Sequence, residues 1–340
     1  MSLSRRIFLK GAAATGALSA LSVPAFASTI KWDLADEYGA QAVSGKASNF
    51  FIETMSKKVG DVFSLTYQGS GALGYKSVDH FDAVQDGAVQ AAVTLVTQIG
   101  GIDPLFDLSS LPFLASTPDE AYLLWKAARE EYAKIFEEND MILLWAMPNP
   151  PSGVNAPAPV TSMDAIKGLR IRTYDKNGTE TFINAGASPL QVAWSDLIPQ
   201  LSTGGIDGVL TSADGARQLS IWDYLSDYTE LNYAMGLFMC HVNRDAFEDL
   251  PENVQAAMLE SIDECDARNW EIMSDSIETA YAEMEENGMT VTRDTEVPAE
   301  VFAALQEAAA DVKAAWLERT GARGEAVFAR FEELKAATNG

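Results

Sequence analysis

Residues 168–208 constrain the fold more than any other stretch of the chain, because strand and helix patterns alternate there in quick succession. Leu169–Thr173 alternates apolar and polar residues, as a half-buried strand does. Asn177–Ala185 has helical spacing, and Ile206–Leu210 is a short apolar strand. Arg172 therefore lies at the carboxyl end of a strand, just before a helix. In α/β sheets this is the edge at which ligands bind.

The same alternation occurs near the start of the chain, where strand, helix, strand, helix and strand are predicted at Ile30–Leu34, Gly45–Val59, Val62–Tyr67, Val78–Gln85 and Ala88–Val96. Such a βαβαβ order predicts an open, largely parallel sheet. About 313 residues follow the first 27, more than one core usually organises, so two lobes are expected. The proline-rich stretch at 148–159 predicts a linker or a crossing between them.

Two helical patterns occupy the C-terminal third of the chain. Pro251–Asn287 is predicted to form one long helix, roughly 50 Å in length and able to run along both lobes. A second helical tail is predicted from Ala299 to Ala337.

The first 27 residues have the features of an export signal. Ser4–Lys10 matches the twin-arginine pattern, and a mildly apolar run at 11–23 is too short to span a membrane. Ala25-Phe26-Ala27 is a small-x-small cleavage signal. We therefore expect cleavage near Ala27 and a mature protein that is located in the periplasm.

Composition excludes several classes of function. A formal net charge of −25 argues against nucleic acid and anionic membranes as partners, and it requires any anion site to be a local basic exception. His80 and His241 are the only histidines, which argues against zinc binding and histidine acid–base chemistry. Cys240 and Cys265 are the only cysteines and are either paired or two buried thiols. We expect no cofactor and no metal.

The segment Gly69–Gly74 is a literal GxGxxG motif between a strand and a helix, as in dinucleotide-binding proteins. It follows the second predicted strand instead of the first. The next strand, near Ala91–Thr97, also lacks the acidic residue that would bind a ribose. The motif is therefore interpreted as a structural turn.

Four short segments with characteristic spacing resemble the solute-binding subunits of tripartite ATP-independent periplasmic (TRAP) transporters: Gly71-Ala72-Leu73-Gly74, Gly168-Leu169-Arg170-Ile171-Arg172, Gly186-Ala187-Ser188-Pro189 and Asp207-Gly208. The resemblance extends over about 31–328. It implies a two-lobed α/β fold of the periplasmic solute-binding type (type II-like), each lobe a mixed sheet flanked by helices, with a long helix spanning both. We expect lobe I at 28–149 plus 236–275 and lobe II at 150–235 plus 276–340.

The resemblance also implies function. Such a protein captures a small organic carboxylate by closing its cleft and delivers it to the integral membrane permease, without inserting into the membrane and without chemistry on the ligand. We expect a monomer. Two alternatives are a periplasmic enzyme acting on organic acids, for which the sequence has no nucleophile, metal or phosphate motif, and a ligand-sensing module with the same fold.

By motif, Arg172 corresponds to the arginine that pairs with the ligand carboxylate, a task that suits a planar guanidinium. Its alternative role is a structural pair with a surface acid, and Arg170 is a rival anchor two residues earlier. Trp194 corresponds to an aromatic residue that packs on the ligand, or else is a core tryptophan. Further candidates at strand ends and turns are Glu37, Tyr38, Tyr75, Thr94, Leu95, Tyr174, Asp175, Thr211, Ser212 and Asp214.

Departures from the family pattern refine the expected ligand. Ser152 stands near the place where several sugar-acid binders have a second arginine, and Leu95 stands where polar residues are common. A site with fewer polar groups but with aromatic residues suits one carboxylate on an apolar body. The sequence thus predicts a monocarboxylate with an apolar or aromatic body, such as a benzoate, with Glu37 or Tyr38 available to a ligand hydroxyl.

Overall fold

The computed structural model describes residues 29–338; the expected export signal at 1–27 lies outside them. The strands, numbered β1 to β11, are Ile30–Asp36, Phe63–Gln68, Ala91–Leu95, Met141–Pro148, Ser152–Ala156, Ile171–Thr173, Leu190–Gln191, Gly208–Ser212, Asp227–Thr229, Leu237–Asn243 and Thr290–Thr292. The helices, numbered α1 to α11, are Val43–Val59, Ser77–Gln85, Pro118–Glu138, Lys176–Asn184, Leu197–Ser202, Ala213–Gln218, Arg244–Glu248, Glu252–Glu260, Ile262–Glu286, Ala299–Thr320 and Ala322–Thr338.

Two sheets form the centres of two lobes. The sheet of lobe I has the order β2-β1-β3-β10-β4, in which β1 is parallel to β2 and β3 whereas β10 is antiparallel to both of its neighbours. The sheet of lobe II has the order β11-β9-β5-β8-β6-β7 and is also mixed. The expected two-lobed α/β architecture is confirmed.

The chain crosses between the lobes at two adjacent connections. Residues 149–151 of the proline-rich stretch link β4 of lobe I to β5 of lobe II, and residues 230–236 lead back from β9 to β10. The backbone N–H of Asn149 donates to the Gly236 carbonyl at 2.8 Å, and that of Ser152 donates to the Ala234 carbonyl at 3.0 Å. The two crossings therefore form a hydrogen-bonded pair beneath the cleft.

Helix α9 runs along both lobes over about 38 Å. In lobe I, Asp266 accepts a hydrogen bond from the Ala146 N–H at 2.8 Å. In lobe II, the ring of Tyr281 lies 5.7 Å from that of Tyr228. The prediction of one uninterrupted helix from Pro251 was wrong, because the pattern divides into α8 and α9 at Ser261. At Ser261 the backbone N–H is shared between the Ala257 carbonyl at 3.2 Å and the Met258 carbonyl at 3.3 Å, as is common where a helix ends.

The helical tail is also divided. Gly321 has a positive φ of 55° and ends α10, so the tail is two helices instead of one. Helix α11 packs along α3, where the Lys335 ammonium lies 2.7 Å from the Glu120 carboxylate. Since α3 covers the sheet of lobe I, residues 322–338 pack against the helix layer of that lobe.

Apolar side chains fill the space between each sheet and its helices. The largest fully buried ones include Trp125, Trp145 and Trp316. Across residues 29–338, no helix is both long and apolar enough to cross a membrane. The described chain thus consists of two packed lobes joined by the paired crossings and by α9.

Candidate functional site

A cavity lies between the lobes, at the carboxyl ends of β1 and β3 in lobe I and of β6 and β8 in lobe II. It contains about 380 Å³ of space free of protein atoms, part of it open to solvent. Its walls are formed by Tyr38, Ala42, Val43, Leu95, Asn149, Ser152, Arg172, Tyr174, Trp194, Thr211, Ser212, Gly215, Gln218 and Phe238. Both lobes and one crossing therefore contribute to a single site.

Arg172 is the charged residue of this wall. It is 1% exposed, and its Nε donates to the Val192 carbonyl at 2.9 Å. Within residues 29–338 its Nη2 has no hydrogen-bond partner. Burial lowers the pKa of the guanidinium, an effect opposed by Tyr38, Glu37 and other nearby groups. A buried guanidinium with an unused N–H group is suited to bind an anion that enters the cavity.

Three aromatic rings line the cavity beside this guanidinium. The ring of Tyr38 lies 5.0 Å from that of Trp194 with a 35° tilt, and 4.9 Å from that of Phe238, edge to face. Tyr38 and Phe238 belong to lobe I, whereas Trp194 belongs to lobe II. The rings thus pack across the cleft and give the cavity flat apolar walls.

Polar groups complete the lobe II side. The hydroxyls of Ser152 and Tyr174 lie 3.3 Å apart, and Thr211 and Ser212 end strand β8. Gly215 lets the backbone of helix α6 lie close to Thr211 and Trp194. A Cβ atom at this position would lie 2.5 Å from the Thr211 hydroxyl and 3.2 Å from the indole of Trp194. The cavity therefore offers several hydrogen-bonding groups beside its apolar walls.

Seven of the twelve residues proposed from the sequence lie on the cavity wall: Tyr38, Leu95, Arg172, Tyr174, Trp194, Thr211 and Ser212. Glu37 is not among them. Its carboxylate accepts hydrogen bonds from the backbone N–H groups of Ser77 at 3.0 Å and Ser195 at 3.4 Å. Glu37 thus contacts both lobes from outside the cavity wall, and Tyr75, partly buried, also lies away from that wall.

Thr94 points into the core of lobe I, on the face of the strand opposite to Leu95. Its hydroxyl lies 2.9 Å from the Nε2 of His241 and 3.3 Å from the Nδ1 of His80. Burial lowers the pKa of His80 to about 4 and that of His241 to about 3. The two histidines are therefore neutral core residues at ordinary pH.

Asp175 and Asp214 do not line the cavity, but each is adjacent in sequence to a residue that does. Asp175 caps helix α4 by accepting from the Gly178 N–H at 2.8 Å. Burial raises the pKa of Asp175 to about 7, although hydrogen bonds from Ser110 and Gly178 lower it in part. Asp214 pairs with the Arg217 guanidinium at 2.9 Å. Asp175 thus caps the helix that follows the cavity residues Arg172 and Tyr174, whereas Asp214 lies on helix α6, which carries the wall residues Gly215 and Gln218.

Arg170, the rival anchor, is engaged elsewhere. Its Nε donates to the Asp207 carboxylate at 2.6 Å, and its Nη1 donates to the Gly204 carbonyl at 2.8 Å. Half of its side chain is exposed to solvent. Arg170 therefore stabilises the turn before β8, whereas Arg172 lines the cavity.

Sequence reasoning missed several wall residues. Phe238 lies on β10, opposite Leu95 in the ladder, and Asn149 lies in the proline-rich crossing. Gln218 is the last residue of α6. The pairing of β10 beside β3 could not be read from local pattern. The position of Gln218 four residues after Asp214 on a helix was the one available signal.

The glycine-rich turn has a structural role. Two of its backbone N–H groups are bonded to the end of β1, that of Ser70 to the Tyr38 carbonyl at 2.7 Å and that of Gly71 to the Asp36 carbonyl at 3.0 Å. A Cβ atom on Gly69 would lie 2.4 Å from the ring of Tyr67. The turn thus positions Tyr38.

Cys240 and Cys265, elsewhere in lobe I, are both free thiols, and both are buried.

Comparisons with known proteins show that this chain is similar to bacterial solute-binding proteins. The family described as "Bacterial extracellular solute-binding protein, family 7" matches residues 34–318. The C4-dicarboxylate-binding periplasmic protein DctP of Rhodobacter capsulatus is 27% identical over 331 residues, 94% of this chain and 96% of that protein. The ectoine-binding periplasmic protein TeaA of Halomonas elongata is 26% identical over 311 residues, 88% and 89% of the two chains.

Among solved structures, DctP7 of Bordetella pertussis, an extracytoplasmic solute receptor that binds pyroglutamic acid, superposes with a TM-score of 0.85. It is 27% identical, and the match covers 89% of this chain and all of that one. These relatives are receptors that bind their substrates instead of converting them. The chain therefore belongs to the bacterial extracellular solute-binding proteins of family 7, the DctP-type solute-binding proteins of TRAP transporters.

Proposed function

We propose that the Arg172 cavity binds a small cyclic monocarboxylate whose ring is largely apolar, and that the protein delivers this ligand to the membrane subunits of a TRAP transporter. The observation that carries the proposal is the guanidinium of Arg172, which is buried between the lobes with its Nη2 unpaired among residues 29–338. A ligand carboxylate would supply the missing partner and would offset the cost of burying the charge.

The walls support a ring as the body of the ligand. Tyr38, Trp194 and Phe238 offer flat surfaces, which supports the apolar or aromatic body expected from the sequence. Asn149 and Ser152 lie on the same wall, and their polar groups favour a ring with hydrogen-bonding atoms over an unsubstituted benzoate. Pyroglutamate, the ligand of DctP7, is a compound of this kind.

Contacts between the lobes support capture by closure. The Lys76 ammonium of lobe I lies 2.9 Å from the Asp196 carboxylate of lobe II. Glu37 of lobe I accepts the hydrogen bond from Ser195 of lobe II. A ligand that touches both lobes favours the closed arrangement, because only that arrangement offers all of its contacts.

Location, lobes and oligomeric state are part of the same proposal. The twin-arginine pattern before Ala27 supports export to the periplasm with cleavage near that residue. We assign 28–149 and 236–275 to lobe I and 150–235 with 276–320 to lobe II; the packing of α11 on α3 supports placing 322–338 with lobe I. The protein is proposed to act as a monomer.

Isothermal titration calorimetry with a panel of acids tests the ligand class. The protein is first unfolded, dialysed and refolded to remove bound solute, and then titrated with pyroglutamate, benzoate, succinate and glucuronate. Pyroglutamate is expected to bind most tightly, with benzoate weaker. Tight binding of the dicarboxylate succinate or of glucuronate, whose ring is a polyhydroxylated sugar, together with weak binding of both pyroglutamate and benzoate, would contradict the proposal.

A further inference from the structure

Gln218 stands at the boundary between the cavity and the solvent. Together with Ala42 and Trp194 it lines both the cavity and an outer cleft that is bordered by Glu37, Ser70 and Arg217. Gln218 is only partly buried, as its position at the end of α6 requires. A ligand in the cavity would therefore have this side chain as part of its outer cover.

The orientation of the Gln218 amide is determined by Asp214. The Gln218 Nε2 donates to one oxygen of Asp214 at 2.6 Å, and the Arg217 guanidinium donates to the other at 2.9 Å. A carboxylate paired with an arginine accepts hydrogen bonds and donates none, so the amide nitrogen must face Asp214. The amide oxygen therefore faces away from Asp214 and remains available as an acceptor.

The same group of residues is connected to the opposite lobe. Arg217 also donates from Nη2 to the backbone carbonyl of Gln41, at 3.2 Å. Gln41 precedes helix α1 of lobe I, whereas Arg217 and Asp214 belong to α6 of lobe II. The carboxylate that orients Gln218 is thus held by an arginine that bridges the closed cleft.

We propose that Gln218 is a specificity-determining residue whose amide oxygen accepts a hydrogen bond from a ring N–H of the ligand. The site would then select lactam-type monocarboxylates over analogues that have an oxygen in place of the N–H. A ring oxygen would leave the Gln218 acceptor unpaired and facing another acceptor. This inference rests on the proposed function, since it requires a cyclic monocarboxylate in the Arg172 cavity.

The test compares pyroglutamate with its lactone analogue, 5-oxotetrahydrofuran-2-carboxylate, which has the same shape and carboxylate but no N–H. Affinities are measured by calorimetry for the wild type, for Gln218→Met and for a matched control, Gln306→Met, on the exposed face of α10. Wild type and control should bind the lactam about tenfold more tightly than the lactone, or more. In Gln218→Met the two affinities should come within about threefold of each other, with lactam binding weakened.

Two results would overturn the inference while leaving the carboxylate site intact. One is equal binding of lactam and lactone by the wild type; the other is an unchanged preference in Gln218→Met. Arg172→Met, measured in parallel, should lose both compounds equally, because the carboxylate is common to them. If the wild type binds neither compound, the inference fails, and the proposed ligand class fails with it only if benzoate does not bind either.

Discussion

Arg172→Met separates a ligand-binding role of the arginine from a structural one. Methionine is unbranched and fills a similar volume, but it carries no charge and no N–H group. Because the wild-type guanidinium is 1% exposed and its Nη2 is unpaired within the described residues, its interaction with a carboxylate would be strongly desolvated. Loss of one partner from such a pair costs about 2–5 kcal/mol.

The expected loss of affinity is therefore at least about 100-fold, which corresponds to about 2.7 kcal/mol. The free energy of unfolding of the ligand-free protein should respond differently. The substitution removes the hydrogen bond to Val192, worth about 1 kcal/mol. It also removes a buried charge whose desolvation lowers the pKa of Arg172, so the two effects oppose each other.

Calorimetry gives the affinity, and urea denaturation followed by tryptophan fluorescence gives the stability without ligand. We expect the affinity for the ligand to fall by at least about 100-fold, while the free energy of unfolding stays within about 1 kcal/mol of that of the wild type. A stability loss of several kcal/mol with little change in affinity would identify Arg172 as a structural residue instead of a ligand-binding one.

Three further predictions concern other charged groups. Arg170→Met should leave ligand affinity unchanged within about twofold, because Arg170 is paired with Asp207 outside the cavity; calorimetry checks this, and a large loss would restore Arg170 as the anchor. Lys76→Met should weaken ligand binding by no more than about fivefold, since the ion pair of Lys76 with Asp196 is solvent-exposed. The difference in affinity should vanish in 0.5 M salt, where the screening length is about 4 Å. A loss of affinity that does not depend on salt would show that this ion pair is not what connects the lobes in the closed form. Burial raises the pKa of Asp175 from an ordinary 3.8 to about 7, so this group stabilises the fold below about pH 4 and that contribution is lost as the pH rises towards 7. Asp175→Asn keeps the helix cap without the charge, and its free energy of unfolding should fall less between pH 4 and pH 7, by up to about 1.4 kcal/mol per pH unit; parallel slopes for variant and wild type in urea titrations would show that Asp175 does not titrate in this window.

The fold could be predicted from the sequence because its main signals are local. Strand and helix periodicity indicated two α/β lobes, and the proline-rich stretch before β5 indicated a crossing. The break at Ser261 was missed because a serine inside an apolar helical pattern is compatible with an uninterrupted helix. Only the structure shows that the Ser261 backbone N–H is shared between two carbonyls, those of Ala257 and Met258.

The site was partly predictable for a related reason. Motif and strand position pointed to Arg172, which lies on the cavity wall. Thr94 and Leu95 were both candidates although adjacent residues of a strand face opposite sides, and the sequence alone does not say which side faces the cleft. Phe238 was missed because its approach depends on the antiparallel pairing of β10 with β3, a contact between distant parts of the chain.

Competitive native mass spectrometry determines whether Arg172 holds the carboxylate of a small, largely apolar ring acid between the lobes. Refolded, ligand-free wild type and Arg172→Met are each incubated with an equimolar mixture of pyroglutamate, benzoate, succinate and glucuronate. We expect one adduct of the wild type, with the mass of pyroglutamate, and none of the variant. An adduct with the mass of succinate or glucuronate, or a pyroglutamate adduct that persists in Arg172→Met, would contradict this expectation.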